Sequence, residues 1–116
     1  MLNGDNEPGV GEATVEKSVR VPNRLGLHAR PAAEFVKLSS QFGSSISVEK
    51  DGLEVNGKSI MGVMMLAAEF GSLLRIRAVG EDAEDAVVAL SALVASGFGE
   101  RESDYQDPED GEAARA

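Results

Sequence analysis

Residues 46–56 run Ile-Ser-Val-Glu-Lys-Asp-Gly-Leu-Glu-Val-Asn, and this stretch sets the fold class. Ile46 and Val48 alternate with Ser47 and Glu49; after Asp51-Gly52, Leu53 and Val55 alternate with Glu54 and Asn56. Period-2 alternation on both sides of an Asp-Gly pair signals an antiparallel hairpin, because both central positions of its two-residue turn need positive φ. A sheet with one apolar face needs a layer to cover it, so helices are expected in the flanking sequence.

Upstream, Val15, Lys17, Val19 and Val21 mark a first strand that Pro22-Asn23 ends. Ala29, Ala32, Ala33, Phe35 and Val36 then recur at helical spacing, with Glu34 and Lys37 opposite, in a helix expected to start at His28 and stop at Gly43. Downstream, Ser59 opens the run IMGVMMLAA, too compact and Met-rich for a strand and therefore a short helix. Leu74, Ile76 and Ala78 alternate with Arg75 and Arg77 as a fourth strand. Gly80 leads into a last helix with Ala83, Val87, Leu90 and Val94 on one face. Glu81, Asp82, Glu84 and Asp85 fill its first turn, where carboxylates suit the helix dipole. The order β-α-β-β-α-β-α predicts an α+β fold, with three helices on one face of a four-stranded antiparallel sheet.

With 116 residues, 42% of them hydrophobic, the chain supports one core. Its net charge of −9 is unevenly placed: residues 1–13 carry −3 and residues 101–116 carry −4, which leaves −2 for residues 14–100. The expected organisation is a disordered acidic leader over 1–13, a folded domain over 14–100 and a disordered acidic tail over 101–116. A nearly neutral folded part gives no broad basic face for nucleic acid. The longest mostly apolar run, Ile60 to Ala68, is far shorter than the ~20 residues of a membrane span, so no membrane insertion is expected and the cytoplasm is the expected location. The absence of cysteine removes disulfides, thiolate nucleophiles and thiolate metal sites. One histidine without cysteine makes no ligand set, so neither a metal nor another cofactor is expected.

That histidine, His28, lies in Leu-Gly-Leu-His-Ala-Arg-Pro, residues 25–31, at the junction of strand and helix. A helix start is an anion site, where the amides of Ala29, Arg30 and Ala32 are expected to point outward and Pro31 costs little because first-turn donors lack intrahelical partners. Asn23, Arg24 and Arg30 can add side-chain donors to phosphate oxygens. A neutral imidazole has one nitrogen lone pair available as a nucleophile, so it can accept a phosphoryl group.

LGLHARPA, preceded by Pro22-Asn23-Arg24, closely resembles the active-site signature of the HPr family, the histidine-containing phosphocarriers of the bacterial phosphoenolpyruvate-dependent phosphotransferase system. The resemblance spans roughly Thr14 to Glu100 and implies that family's open-faced β-sandwich. It implies that His28 is phosphorylated on Nδ1, with Arg30 and Pro31 as its matched neighbours. Enzyme I would be the donor and IIA-type proteins the acceptors, making the chain a monomeric carrier without turnover of its own. Asn-Gly-Lys-Ser-Ile-Met-Gly-Val-Met, residues 56–64, is similar to the regulatory-serine segment of members phosphorylated by HPr kinase/phosphorylase. The resemblance thus implies Ser59 as a regulatory site; from its position alone, Ser59 is a helix N-cap. Ile60, Met61 and Met64 are expected to form an exposed docking patch beside His28, with Val63 and Leu66 in the core. Family members often end near the position of Glu100, whereas this chain continues.

Two other readings stay open at this point. One is the nitrogen-branch carrier, which shares the histidine site without sugar transport. The other is a small interaction domain of similar build without covalent chemistry.

Overall fold

The computed structural model describes residues 13–100, so the acidic leader and tail lie outside the described residues except for Ala13. The elements run β1 (Ala13–Arg20), α1 (Ala29–Ser39), β2 (Ser45–Lys50), β3 (Leu53–Asn56), α2 (Ile60–Met65), β4 (Leu73–Gly80) and α3 (Ala83–Ala95), followed by a single 3-10 turn at Gly97–Gly99. The hairpin turn is as its sequence demands: Asp51 and Gly52 have φ of 51° and 86°, and Lys50 pairs with Leu53.

The four strands form one antiparallel sheet in the order β1-β4-β2-β3. β1 and β2 are therefore parallel with β4 between them, and α1 crosses over that strand. β3 and β4 are likewise joined by α2 across β2, so the two crossovers interlock. The core lies between sheet and helices, where Ile46, Val48, Leu74, Ile76 and Ala78 meet Phe35, Val63, Val87, Leu90 and Val94. Val63 and Leu66 are buried there as expected. On β1, an edge strand, Val15 and Val19 are half-buried against the core while Lys17 on the same face stays exposed.

Two details of α1 differ from expectation. The helix ends at Ser39, not Gly43, because its last turn tightens: Gln41 N–H donates to Leu38 O at 3.0 Å and Phe42 N–H to Ser39 O at 3.1 Å. The chain is then held by Asp82, whose carboxylate accepts from the amides of Gly43 and Ser44 at 2.9 Å each and from the Ser44 hydroxyl. Ala29 and Ala33 are exposed, so the buried stripe is carried by Pro31, Ala32, Phe35 and Ser39. Among the described residues, no helix is long and apolar enough to cross a membrane.

Candidate functional site

The loop between β1 and α1 is pinned before it reaches His28. Gly26 has φ +69°, and a Cβ there would lie 2.5 Å from the Ala68 carbonyl oxygen, so this position accepts only glycine. Leu27, buried, donates its N–H to that same oxygen at 2.9 Å and ties the loop to the segment after α2. His28 follows as the extended N-cap of α1. Its carbonyl accepts from Ala32 N–H at 3.0 Å, so Ala32 is spent within the helix and, of the three amides expected to face an anion, only Ala29 and Arg30 remain.

His28 Nε2 lies 2.7 Å from Oε2 of Glu100. Arg30 approaches the same oxygen with Nε at 3.2 Å and Nη2 at 2.8 Å, and its Nη2 also donates to the Phe98 carbonyl at 3.1 Å. Buried Asn23 donates its Nδ2–H to Glu100 Oε1 and to Gly26 O, both at 2.9 Å. Both partners are acceptors, which settles the amide orientation and leaves Asn23 Oδ1 buried without a protein donor. Burial pushes the Glu100 carboxyl up, but hydrogen bonds from Arg30, His28 and Asn23, together with the charge of His28, outweigh it and hold the group below the ordinary carboxylate range. A carboxylate can only accept, so Nε2 is the ring nitrogen that carries a proton, and in the neutral imidazole the lone pair is on Nδ1. Among the described residues nothing donates to Nδ1, and the side chain is 37% exposed.

Glu100 is the residue that the local pattern does not announce. It reaches the ring from 72 positions away because Gly97, Phe98 and Gly99 all have positive φ, of 70°, 60° and 75°. Phe98 is held in this unfavourable conformation by a ring buried in the core and a carbonyl bound by Arg30. The sequence signal is slight: two glycines flanking an aromatic after a helix. Arg24 is exposed in the turn before Gly26.

The second place of interest is α2. Ser59 is its N-cap and accepts from Gly62 N–H at 3.0 Å, as its position suggested. Ile60, Met61 and Met64 are exposed, Met61 by 74%. They are joined by Met65, Phe70 and Leu25, also exposed. The Leu27–Ala68 hydrogen bond draws the segment that carries Phe70 against the loop that carries Leu25 and His28.

Fold and site together define a small α+β domain with one partly exposed imidazole at a helix N-terminus, its Nε2 held by a carboxylate. The sequence model of the family described as PTS HPr component phosphorylation site matches residues 15–96. The phosphocarrier protein HPr of Xylella fastidiosa is 48% identical over 86 residues, covering 74% of this chain and 97% of that protein. The crystal structure of HPr-C-His from Thermoanaerobacter tengcongensis superposes with a TM-score of 0.73 at 48% identity, covering 75% of this chain and 98% of that one. An HPr dimer from the same organism gives 0.61 at 50% identity, over 71% and 94% of the two chains. The chain belongs to the HPr family of phosphotransferase-system phosphocarriers.

Proposed function

We propose that His28 receives a phosphoryl group on Nδ1 from phosphorylated Enzyme I and passes it to IIA-type acceptors. The observation that carries this reading is the occupied Nε2: with that nitrogen donating to Glu100 at 2.7 Å, Nδ1 is the one free to attack. The Nδ1 lone pair forms the new bond to phosphorus as the bond from phosphorus to the donor breaks. Keeping its Nε2 proton, the ring becomes a phosphorylated imidazolium whose positive charge faces the Glu100 carboxylate at 2.7 Å. No base has to act before the attack, and the ring returns to neutral only when that Nε2 proton is released. The amides of Ala29 and Arg30 and the Arg30 guanidinium supply positive potential beside the transferred group, with Arg24 as a further donor at the loop. Asn23, expected to be another, has both amide hydrogens committed to Glu100 and Gly26 and serves to position Glu100 instead. The chain is a carrier in this scheme and turns nothing over alone.

Ile60, Met61 and Met64, extended by Met65, Phe70 and Leu25, form the surface on which those partners dock. Adaptable methionine side chains suit a face used by several of them. Ser59 lies at its edge, and phosphorylation there by HPr kinase/phosphorylase places a dianion at a helix start, where it weakens docking without unfolding α2. The carrier acts as a monomer in the cytoplasm, although several relatives' structures are described as dimers.

Incubation with Enzyme I, magnesium and phosphoenolpyruvate should add one acid-labile phosphate, seen by intact mass and absent in His28→Ala. An unmodified wild-type chain, with another carrier phosphorylated in parallel, would sink the reading. Met61→Glu with Met64→Glu should slow transfer, and unchanged rates would remove the docking role. Incubation with the kinase and ATP should add an acid-stable phosphate that Ser59→Ala lacks; failure there would remove only the regulatory part.

A further inference from the structure

A cleft of about 560 Å³ opens on the far side of the molecule from this site. It lies where β2, β3 and β4 meet the Gly43–Ser44 turn, on the sheet face turned away from the helices. Its floor is one cross-strand row: Arg77 of β4 stands opposite Ser47 of β2, and Ser47 opposite Asn56 of β3. Ser45 pairs with Val79 in the neighbouring row, and Lys58 forms a wall.

The charges of this face are unevenly satisfied. Glu16 stands opposite Arg77 in register, yet its carboxylate lies 3.3 Å from Arg75 Nε. Glu49 lies 2.5 Å from Arg75 Nη2, so Arg75 takes both carboxylates. Arg77 is left without an ion pair or hydrogen bond among the described residues, as are the hydroxyls of Ser45 and Ser47. Lys58 spends one proton of its ammonium on the Phe42 carbonyl at 2.7 Å, which holds the chain in place and leaves two for a ligand. At the opposite side of the cleft, Glu54 brings an exposed carboxylate and Asn56 a side-chain amide whose oxygen already accepts from Lys58 N–H.

We propose that this cleft binds a phosphate monoester of a small polyol. Arg77, Lys58, Ser45 and Ser47 hold the phosphoryl oxygens, and Glu54 accepts from the polyol hydroxyls. A guanidinium fork with an ammonium and two hydroxyls is a donor set suited to several phosphate oxygens at once. The adjacent carboxylate disfavours a ligand that is anionic throughout and favours one carrying hydroxyl donors. The volume falls within the range of small-ligand sites. His28 lies at the other end of α1, whose 11 residues span about 16 Å, so the cleft is distinct from the phosphoryl-transfer site and its occupancy does not depend on that reading.

The test is a titration of the full chain with ribose 5-phosphate, followed by amide resonances, with ribose and inorganic phosphate as separate arms. Saturable shifts are expected at Ser45, Ser47, Asn56, Lys58 and Arg77 with ribose 5-phosphate. Ribose alone should produce none, and inorganic phosphate weaker binding at the same residues. Arg77→Gln, an exposed substitution, should weaken binding by about tenfold and leave phosphorylation of His28 unchanged, as should Lys58→Gln. Shifts confined to residues around His28 or Ser59, or an affinity indifferent to Arg77→Gln, would overturn the proposal.

Discussion

Glu100 and Arg30 show how a handful of side chains sets the state of one imidazole. The Glu100 carboxyl is subject to two opposed effects, burial that raises its pKa and donors that lower it, and the donors prevail. Arg30 is foremost among those donors, so Arg30→Ala should move the Glu100 carboxyl upward in a carbon-detected titration. A carboxyl that stayed depressed would show that His28 and Asn23 suffice. In the wild type the folded-state pKa lies below that of the unfolded chain. The stability tied to Glu100 is therefore complete above the ordinary carboxylate pKa and is lost as pH falls through the folded value. Nitrogen chemical shifts of His28 at neutral pH should report Nδ1 as the unprotonated nitrogen, and the Glu100→Ala variant should lose part of that preference. His28, Arg30 and Asn23 were legible from the string LGLHARP and the Pro-Asn before it. Glu100 was not, because a glutamate just beyond a helix has no local pattern to mark it.

Among the elements, α2 and the start of α3 owe their placement to polar side chains. Ser59 caps a helix of only 6 residues, too short to be stable on propensity alone. Ser59→Ala should cost about 1 kcal/mol in thermal or urea denaturation, whereas Ser59→Asp, which keeps an acceptor, should cost less. At α3, Asp82 looks like a helix-start carboxylate, but its side chain makes no cap and turns to Gly43 and Ser44 instead. The Ser44 hydroxyl first, then the Gly43 amide, hold its pKa below the ordinary value. That depression means stability present above the unfolded-state pKa and lost as acid protonates the folded form. Asp82→Asn should therefore lower the melting temperature at neutral pH and narrow the gap between neutral and acid melts. The expected stop of α1 at Gly43 failed for the same reason: what ends there is the clipped loop, and the helix has already closed at Ser39 with tighter turns.

For the whole molecule, two interlocked crossovers converge on one core, and Phe35 is its largest fully buried side chain. Phe35→Ala should cost about 3–5 kcal/mol, a large share of the about 5–15 kcal/mol typical of a domain. A shift of the urea midpoint at constant slope would measure it. Because α1 carries both Phe35 in the core and His28 at its cap, a loosened core should also broaden the His28 ring resonances.

What the amino-acid order determined by itself is what depends on neighbours along the chain. The Asp51-Gly52 turn, the alternating strands, the Ser59 cap, the buried Val63 and Leu66 and the family signature around His28 are all local in this sense. The tertiary structure alone decided the strand order β1-β4-β2-β3, the arrival of Glu100 on the His28 ring, the turning of Asp82 toward Ser44 and the pairing of Glu16 with Arg75. Each of these joins residues tens of positions apart. Such a partner is chosen by packing and by the hydrogen-bonding demands of buried or charged groups, and no periodicity in sequence encodes it.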